Sequence, residues 1–283
     1  YLVEYQNQIY RLLLMDNIKV KIIKVSISPE ENRVTTFELE YPRYIHAQLL
    51  THRVFSRNSA SSRAIPIEKT LNFIYENPVN PIWTYNQAGM QGEIVMDPVL
   101  KCKMDLVWGK ARKEMMENVR ELVKLGAHKQ DVNRLLEPFE TIKTILTGSQ
   151  FKNFFNLRIS AEAQPEIRIL AEKMKAAYDE SKPDLLKYGE WHTPYVSNTD
   201  KNAKDISVAC CAQVSYRKLN TDPEKCKEIF YKLVNKGKIH GSPFEHVCRP
   251  TNYMEGEYDT GNLKGFHQYR YDVENSNGID SKI

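Results

Sequence analysis

Residues 18–41 read IKVKIIKVSISPEENRVTTFELEY and carry the alternation of two β-strands. Apolar and polar side chains alternate with period two on either side of residues 29–32, which is the pattern of strands with one buried face. The apolar set changes phase between Ile22 and Ile23, and a change of phase within a strand predicts a β-bulge. The Pro-Glu-Glu-Asn stretch at residues 29–32 is typical of a turn. The sequence therefore predicts an antiparallel hairpin over residues 18–41.

Several later segments have helical periodicity. Pro42 suits the first turn of a short helix that continues to about Thr51. Asp97 and Pro98 begin a much longer helix, in which apolar residues recur every three or four positions down to Gly126. These recurring residues are Leu100, Met104, Val107, Ala111, Met115, Val119 and Leu122. A helix of this length, roughly 40 Å at 1.5 Å per residue, crosses a whole domain or packs against a partner subunit.

Shorter helices complete an α+β fold. They are expected over residues 129–136, over residues 165–178 and after a capping box formed by Thr221 and Glu224. Residues 181–204 form a polar connection that contains Trp-His-Thr-Pro-Tyr. We expect one domain over residues 15–270, an extension at residues 1–14 and a flexible tail at residues 271–283.

The composition is that of an ordinary folded protein. Of 283 residues, 41% are apolar and 27% charged, so the chain can close a sizeable core and is not mainly disordered. No stretch approaches the roughly 20 apolar residues that a bilayer requires. The net charge of +4 permits an anionic ligand without demanding nucleic acid. The five cysteines lack C-x-x-C and metal-ligand spacings, which indicates reduced thiols in a cytoplasmic protein and no metal site.

The stretch with the most chemical information is residues 51–63, which read THRVFSRNSASSR. Arginines supply permanently charged bidentate donors, and serine hydroxyls and loop amides supply neutral donors, which is the set that a phosphate group needs. A solvated basic loop and a surface that binds the nucleic-acid backbone are the alternatives that this composition leaves open.

A second cluster lies at residues 153–158, which read NFFNLR, and is followed at residues 163–168 by AQPEIR. The aromatic pair is typical of a core. Arg158 directly after Phe-Phe-x-Leu is costly to place there unless it meets an anion or a carboxylate.

These stretches resemble the signatures of the flavin-dependent thymidylate synthase family. That family's hallmark is Arg-His-Arg followed, after seven residues, by Ser, and His52-Arg53 with Ser61 reproduces the spacing. Gln48 and Arg63 stand where the family has Gln and Arg. Further matches are Asn153-Phe154-x-x-Leu157-Arg158, Ala163-Gln164-x-Glu166-Ile167, Arg134 before Pro138, His240-Gly-Ser-Pro-Phe-Glu-His246, and Ser215-Tyr216 at the end of residues 208–216.

The chain also departs from the family pattern. Thr51 replaces the first arginine of the hallmark. Ser59 stands where the family usually has Glu, and Glu162 stands where it often has His. The Ser-Pro-Phe-Glu-His segment precedes the His-Arg segment in the family, whereas here it follows, near the C-terminus. This order predicts a circular permutation, which requires chain ends that lie close together.

The resemblance implies a twisted antiparallel or mixed sheet packed with long helices. It also implies transfer of a methyl group to C5 of dUMP in a homotetramer with shared active sites. Methylenetetrahydrofolate would supply the carbon, NADPH the electrons, and FAD would mediate both.

The resemblance assigns the site residues as follows. Arg158 would stabilise negative charge on the uracil ring, and Ser61 would hydrogen-bond near it, since a serine nucleophile needs a base within reach. The substrate would be bound by Gln48, Arg63, Arg134 and Arg158. The flavin would be bound by His52, Arg53, Asn153, Ser215, His240, Ser242 and Glu245.

Other interpretations remain at this stage. The chain could act on another pyrimidine nucleotide such as dCMP, or add hydroxymethyl, or be a nucleic-acid-binding module that uses Arg53, Arg57 and Arg63. His52 could cap its helix, and Glu245 could pair with a surface lysine.

Overall fold

The computed structural model describes residues 17–197, 202–215, 219–235 and 238–276. Its main sheet has five strands in the order β3-β4-β2-β1-β5, and residues 248–250 and 266–268 form a separate pair. The strands are β1 (Lys19–Ile27), β2 (Arg33–Pro42), β3 (Ser56–Ser59), β4 (Thr141–Gly148), β5 (Asp184–Leu185), β6 (Cys248–Pro250) and β7 (Phe266–Gln268).

The predicted hairpin and its bulge are confirmed. Strands β1 and β2 pair antiparallel, with a register shift between Ile22 and Lys24. Strand β4 pairs antiparallel with β2 and β3, and β5 pairs parallel with β1, which makes the sheet mixed. The expected α+β class with a mixed sheet is therefore confirmed.

Nine α-helices occur within the described ranges. They are α1 (His46–Leu50), α2 (Ile67–Glu76), α3 (Pro98–Lys124), α4 (Lys129–Val132), α5 (Lys152–Arg158), α6 (Pro165–Glu180), α7 (Ala203–Ala212), α8 (Pro223–Leu233) and α9 (Tyr269–Ser276). Short 3₁₀ turns precede α1 at Arg43–Ile45, follow α4 at Asn133–Phe139 and cover Ser242–His246. No helix in these ranges combines the length and apolar composition that a bilayer-spanning segment requires.

The main core lies between the sheet and helices α5 and α6. Phe37 and Leu146 on the sheet and Phe154, Ile167 and Leu170 on the helices belong to one cluster and are at most 1% exposed. Each such side chain contributes about 1.5–3 kcal/mol when it leaves water. This packing fixes α5, and with it Arg158, against the end of the sheet.

Helix α3 is capped as predicted but is only partly buried. The Asp97 carboxylate accepts hydrogen bonds from the backbone amides of Val99 and Leu100. Met116 and Val119, in the second half, pack against α2. Leu106 and Val107, in the first half, are 68% and 71% exposed. The predicted stripe residue Val107 is therefore exposed, whereas the second half of the stripe packs in one cluster with α2.

One prediction about the C-terminal region, the capping box at Thr221, is wrong. Helix α9 includes the first residues of the expected flexible tail, where Arg270 Nε donates to Glu274 Oε1 at 2.6 Å and Val273 is buried, and the flexibility of the tail stays a prediction. Residues 277–283 and the proposed extension at residues 1–14 lie outside the described residues. Asp222 caps α8 in place of Thr221, since its carboxylate accepts from the amide of Lys225.

Candidate functional site

A cleft of about 930 Å³ opens between the loop after α1, the start of α5 and the β1–β2 turn. Three predicted flavin-binding residues, His52, Arg53 and Asn153, line this cleft. The walls also include Glu31, Asn32, Arg33, Thr51, Val54, Ser149, Gln150, Phe151, Lys152, Phe154, Asn156, Tyr178 and Lys264. The structure therefore brings these three residues together in one cleft, and their role in flavin binding stays a prediction.

His52 is held in its neutral form. Its Nε2 accepts a hydrogen bond from Arg158 Nε at 2.9 Å, so the ring proton must lie on Nδ1. The ring packs edge-on against Phe154, with centroids 4.9 Å apart. Burial, helped by the charges of Arg158 and Arg57, lowers the pKa of His52 below its usual value. The side chain bonds an arginine, which the helix-capping alternative does not explain.

Arg158 makes all its polar contacts with neutral groups. Besides His52, its Nη2 donates to the carbonyl of Gln48 and to Oγ1 of Thr51, both at 3.3 Å. Among the described residues, no carboxylate pairs with this guanidinium. The sequence predicted an anion or a carboxylate beside Arg158, and the described residues supply neither. Its charge is therefore available to an anionic or strongly polarised ligand.

A chain of hydrogen bonds leads from the Gln48 side chain to the buried Glu166. Gln48 Nε2 donates to Gln164 Oε1 at 2.5 Å, and Gln164 Nε2 donates to Glu166 Oε2 at 3.0 Å. Glu166 is 2% exposed and also accepts from the Tyr44 hydroxyl at 3.0 Å and the Ile82 amide at 2.7 Å. Sequence reasoning quoted Gln164 and Glu166 as motif residues but assigned them no role. The structure shows that they orient Gln48.

The other predicted flavin-binding residues surround β3. Ser215 Oγ accepts from the amide of Ser61 at 3.2 Å, and Ser242 Oγ donates to Asn58 Oδ1 at 3.3 Å. Glu245 pairs with Arg270 at 2.5 Å, so its partner is not the surface lysine of the alternative interpretation. His240 is exposed. None of these side chains lines the cleft that holds His52.

Arg57, on β3, lies between the His52 cleft and Glu245. It is not among the predicted site residues. It donates to the carbonyls of Leu50 at 2.8 Å and His52 at 3.3 Å. Burial lowers its pKa, while the charge of Glu245 acts in the opposite direction. The sequence indicated Arg57 only as a possible contact for nucleic acid. No motif spacing predicts that an arginine will donate to backbone carbonyls a few residues before it.

Arg63, in the loop after β3, and Arg134, in the 3₁₀ turn after α4, are both exposed. Asn133 Nδ2 donates to the carbonyls of Ser62 at 2.7 Å and Ile65 at 2.9 Å, which holds the Arg63 loop beside Arg134. This pair lies near the N-terminal end of α1, whereas Arg158 contacts its C-terminal end. Within the described protomer no contact joins Arg158 to Arg63 or Arg134.

The Ser61 hydroxyl has no base nearby. Over the described part of the chain, no hydrogen bond connects it to a histidine or a carboxylate. In the described part of the chain there is no group of three or more His, Cys, Asp or Glu side chains that could hold a metal ion.

The chain is similar in sequence to known proteins over about half its length. A family model described as "Thymidylate synthase complementing protein" matches residues 17–184. The chain is 30% identical over 162 residues to the flavin-dependent thymidylate synthase of Saccharolobus solfataricus, covering 56% of this chain and 54% of that protein. It is 26% identical over 180 residues to the enzyme of the same name from Pyrococcus abyssi, covering 60% and 66%. The match thus spans between about half and two thirds of these relatives.

A solved structure titled as the UMP/dUMP methylase PolB from Streptomyces cacaoi, bound to 5-Br UMP, is also similar. Its TM-score is 0.47 at 16% identity, over 58% of this chain and 89% of that one.

Proposed function

This chain belongs to the thymidylate synthase complementing protein family, and we propose that it is a cytoplasmic FAD-dependent enzyme that converts dUMP to dTMP. The observation that carries the proposal is the Arg158 guanidinium, which is held by neutral acceptors beside the His52 cleft and has no carboxylate partner among the described residues.

The reaction would join a one-carbon unit to C5 of the uracil ring. Methylenetetrahydrofolate carries that carbon at the oxidation level of formaldehyde, so two electrons are needed to make a methyl group, and NADPH supplies them. FAD would mediate the transfer, and the protein's contribution is placement and electrostatics.

The residues of the cleft fit an anionic dinucleotide. His52, Arg53 and Asn153 line it, and Lys152 and Lys264 add positive charge. Neutral His52 would present its Nδ1–H as a donor, and Arg53 would pair with a phosphate. Buried Phe154 keeps the His52 ring in place.

Arg158 would activate the pyrimidine. Attack at the ring builds negative charge on the N3/O2 side, and a fixed guanidinium in a water-poor site stabilises such charge. The bonds to Gln48 and Thr51 hold the guanidinium in one orientation, so little reorganisation is needed when charge develops. Ser61 would act as a hydrogen-bonding group near the ring.

Arg63 and Arg134 would bind the phosphate of the nucleotide. A monophosphate is a dianion and needs converging cations. Both arginines are exposed, and Asn133 holds the Arg63 loop beside Arg134. Arg134 lies 3.8 Å from Glu137, a loose contact that a phosphate can replace.

The active site would be completed by other copies of the chain. Ser242 and Glu245 lie near β3 and do not line the His52 cleft. Arg158 contacts the C-terminal end of α1, whereas Arg63 lies near its N-terminal end. The exposed Leu106 and Val107 on α3 offer an apolar surface for such contacts. We propose a homotetramer, and sedimentation of the purified protein as a monomer would contradict it.

The test is an absorbance spectrum of the purified protein with and without dUMP, followed by product analysis. We expect a yellow protein whose flavin bands change when dUMP binds, and formation of dTMP when methylenetetrahydrofolate and NADPH are added. Colourless protein that takes up no added FAD would refute the proposal.

A second candidate is methylation or hydroxymethylation of another pyrimidine nucleotide such as dCMP. Thr51, which replaces a family arginine, contributes a hydroxyl that accepts from Arg158, so the ring pocket has one cation fewer. Incubation with dUMP and dCMP in parallel, with mass analysis of the products, separates the two. A mass gain on dCMP alone would replace the leading substrate.

A further inference from the structure

The segment Thr260–Gly265 is fastened against the wall of the His52 cleft. Asn262 Nδ2 donates to the carbonyl of Arg53 at 3.3 Å, and its Oδ1 accepts from the Ser56 hydroxyl at 3.0 Å. The segment belongs to the C-terminal region, beyond the residues that match the family model. It is therefore a part of the cleft that the family signatures do not predict.

The other end of this segment is fixed by close packing. Gly265 has a φ of +80°, and a Cβ atom added there would lie 2.5 Å from the side chain of Asn32. Leu263 is fully buried in a cluster with Val34 and Phe266. Because its neighbours on both sides are held, the backbone of Lys264 has a defined position on the cleft wall.

The cleft carries positive charge that the described residues leave without ion-pair partners. Arg53, Lys152 and Lys264 all line it and are exposed, and none forms an ion pair with a described residue. Glu31 is the only acidic residue on the described lining. Arg33 also lines the cleft, but its guanidinium is already engaged, with Cζ 3.7 Å from the centre of the Tyr178 ring. Several like charges that share a cleft attract a polyanion.

We propose that Lys264 binds the pyrophosphate of a dinucleotide in this cleft together with Arg53, and that Asn262 positions the Arg53 loop for the same phosphates. The inference rests on the proposed function and deepens it, because it assigns phosphate binding to a C-terminal residue of this chain. FAD and NADPH both contain such a pyrophosphate, and a compact ammonium group recognises it as a point charge.

The test compares Lys264→Gln with wild-type protein in binding titrations of FAD, NADPH and riboflavin, which has no phosphate, at low and high NaCl. We expect Lys264→Gln to weaken the binding of FAD, of NADPH or of both by roughly tenfold, the scale of a lost charge-assisted hydrogen bond. Added salt should reduce the difference, because it screens exposed charges. Riboflavin binding should not change, and Lys264→Arg should retain affinity within about threefold.

Lys227→Gln is the matched control, since Lys227 is an exposed lysine on α8 outside the cleft. It should bind every ligand like the wild type. If the wild-type protein binds FAD but Lys264→Gln binds both dinucleotides with unchanged affinity, the inference about Lys264 is overturned and the proposed function is not. Wild-type protein that binds no FAD would refute the proposed function and the inference with it.

Discussion

The polar environment of Arg158 is decided by single residues. His52 can accept from Arg158 Nε only while Nε2 is unprotonated, and burial keeps it so by lowering the pKa of the ring. Thr51 accepts from Nη2 where a family member would place an arginine. A second guanidinium at this position would repel Arg158 instead of holding it. The departure from the hallmark at residue 51 is therefore compatible with a well-oriented Arg158.

Arg158→Lys tests this arrangement. A lysine keeps the charge but loses the planar fork that contacts His52 and Gln48 at once. We expect kcat/KM for dUMP to fall roughly tenfold to a hundredfold, as for loss of about 1.5–3 kcal/mol of charged hydrogen bonding, with FAD content unchanged. Steady-state kinetics and the flavin-to-protein ratio measure the two effects.

Arg120→Lys, at an exposed position on α3, provides the control and should leave both quantities unchanged. A loss of bound FAD equal to the loss of activity would assign Arg158 to the flavin and not to the pyrimidine.

At the scale of elements, the glycine at the end of β4 and the glycine within α3 differ in how closely their neighbours pack. Gly148 ends β4 under two aromatic rings, and a Cβ atom there would lie 2.6 Å from Phe55 and 3.0 Å from Phe151. Phe151 also lines the cleft. Gly109 lies within α3, where the nearest atom to an added Cβ is Arg112 Nη2 at 3.8 Å. The first glycine is required by close packing, and the second is not.

Substitution of each glycine by alanine should therefore have opposite effects. Gly148→Ala should lower the free energy of unfolding by about 1–3 kcal/mol, because Phe55 must move. Gly109→Ala should raise it by roughly 0.5–1 kcal/mol, since alanine loses less backbone entropy in a helix. Urea denaturation of both variants measures the two values. A Gly148→Ala protein as stable as the wild type would show that the aromatic rings have room to shift.

At the scale of the whole molecule, a buried polar chain connects the C-terminal region to the sheet. His192 contacts the Ser26 hydroxyl through Nδ1 and the Thr36 hydroxyl through Nε2, both at 2.8 Å. Thr36 in turn contacts Thr147 at 2.7 Å, and Thr147 contacts His246 Nδ1 at 2.8 Å. All five side chains are buried. Two histidines from the C-terminal region thus insert between hydroxyls of β1, β2 and β4.

The same region bears on the predicted permutation. Cys248, directly after the Ser-Pro-Phe-Glu-His segment, packs in one buried cluster with Val34 at the start of β2. In the family order this segment precedes the His-Arg segment, which here follows β2. The contact is the proximity that a permuted chain requires, so it supports the permutation, which stays a prediction.

This connection predicts loss of stability in mild acid. Burial lowers the pKa of His192 and His246 to about 3, whereas an unfolded histidine titrates near 6.5. Because the folded-state pKa is the lower one, only the unfolded chain binds protons between pH 6.5 and 3. Stability is therefore full above pH 6.5 and falls as the pH decreases towards 3. At pH 5 each histidine should cost about 2 kcal/mol relative to pH 8.

Urea denaturation at pH 8 and pH 5 checks this expectation. His246→Gln, which cannot be protonated, should show a smaller decrease than the wild type by about 2 kcal/mol. His128→Asn replaces an exposed histidine and preserves the N-cap of α4, so it should behave like the wild type. An unchanged decrease in His246→Gln would mean that this ring is not what makes the fold sensitive to acid.

The sequence by itself determined the features that depend on neighbours along the chain. The hairpin with its bulge, the Asp97 cap and the length of α3 follow from local periodicity and capping. Motif spacing singled out His52, Arg53, Asn153 and Arg158, whose roles stay predictions. The sequence prediction missed β4, which lies between β2 and β3, as well as α2 and α7, although residues 141–148 are rich in β-branched side chains. Only the tertiary structure decided that Arg158 meets neutral acceptors, that Ser242 lies apart from the His52 cleft, and that Lys264 lines it. The reason is physical: these contacts join residues more than 100 positions apart, and their formation depends on how the sheet and helices pack, which no local pattern records.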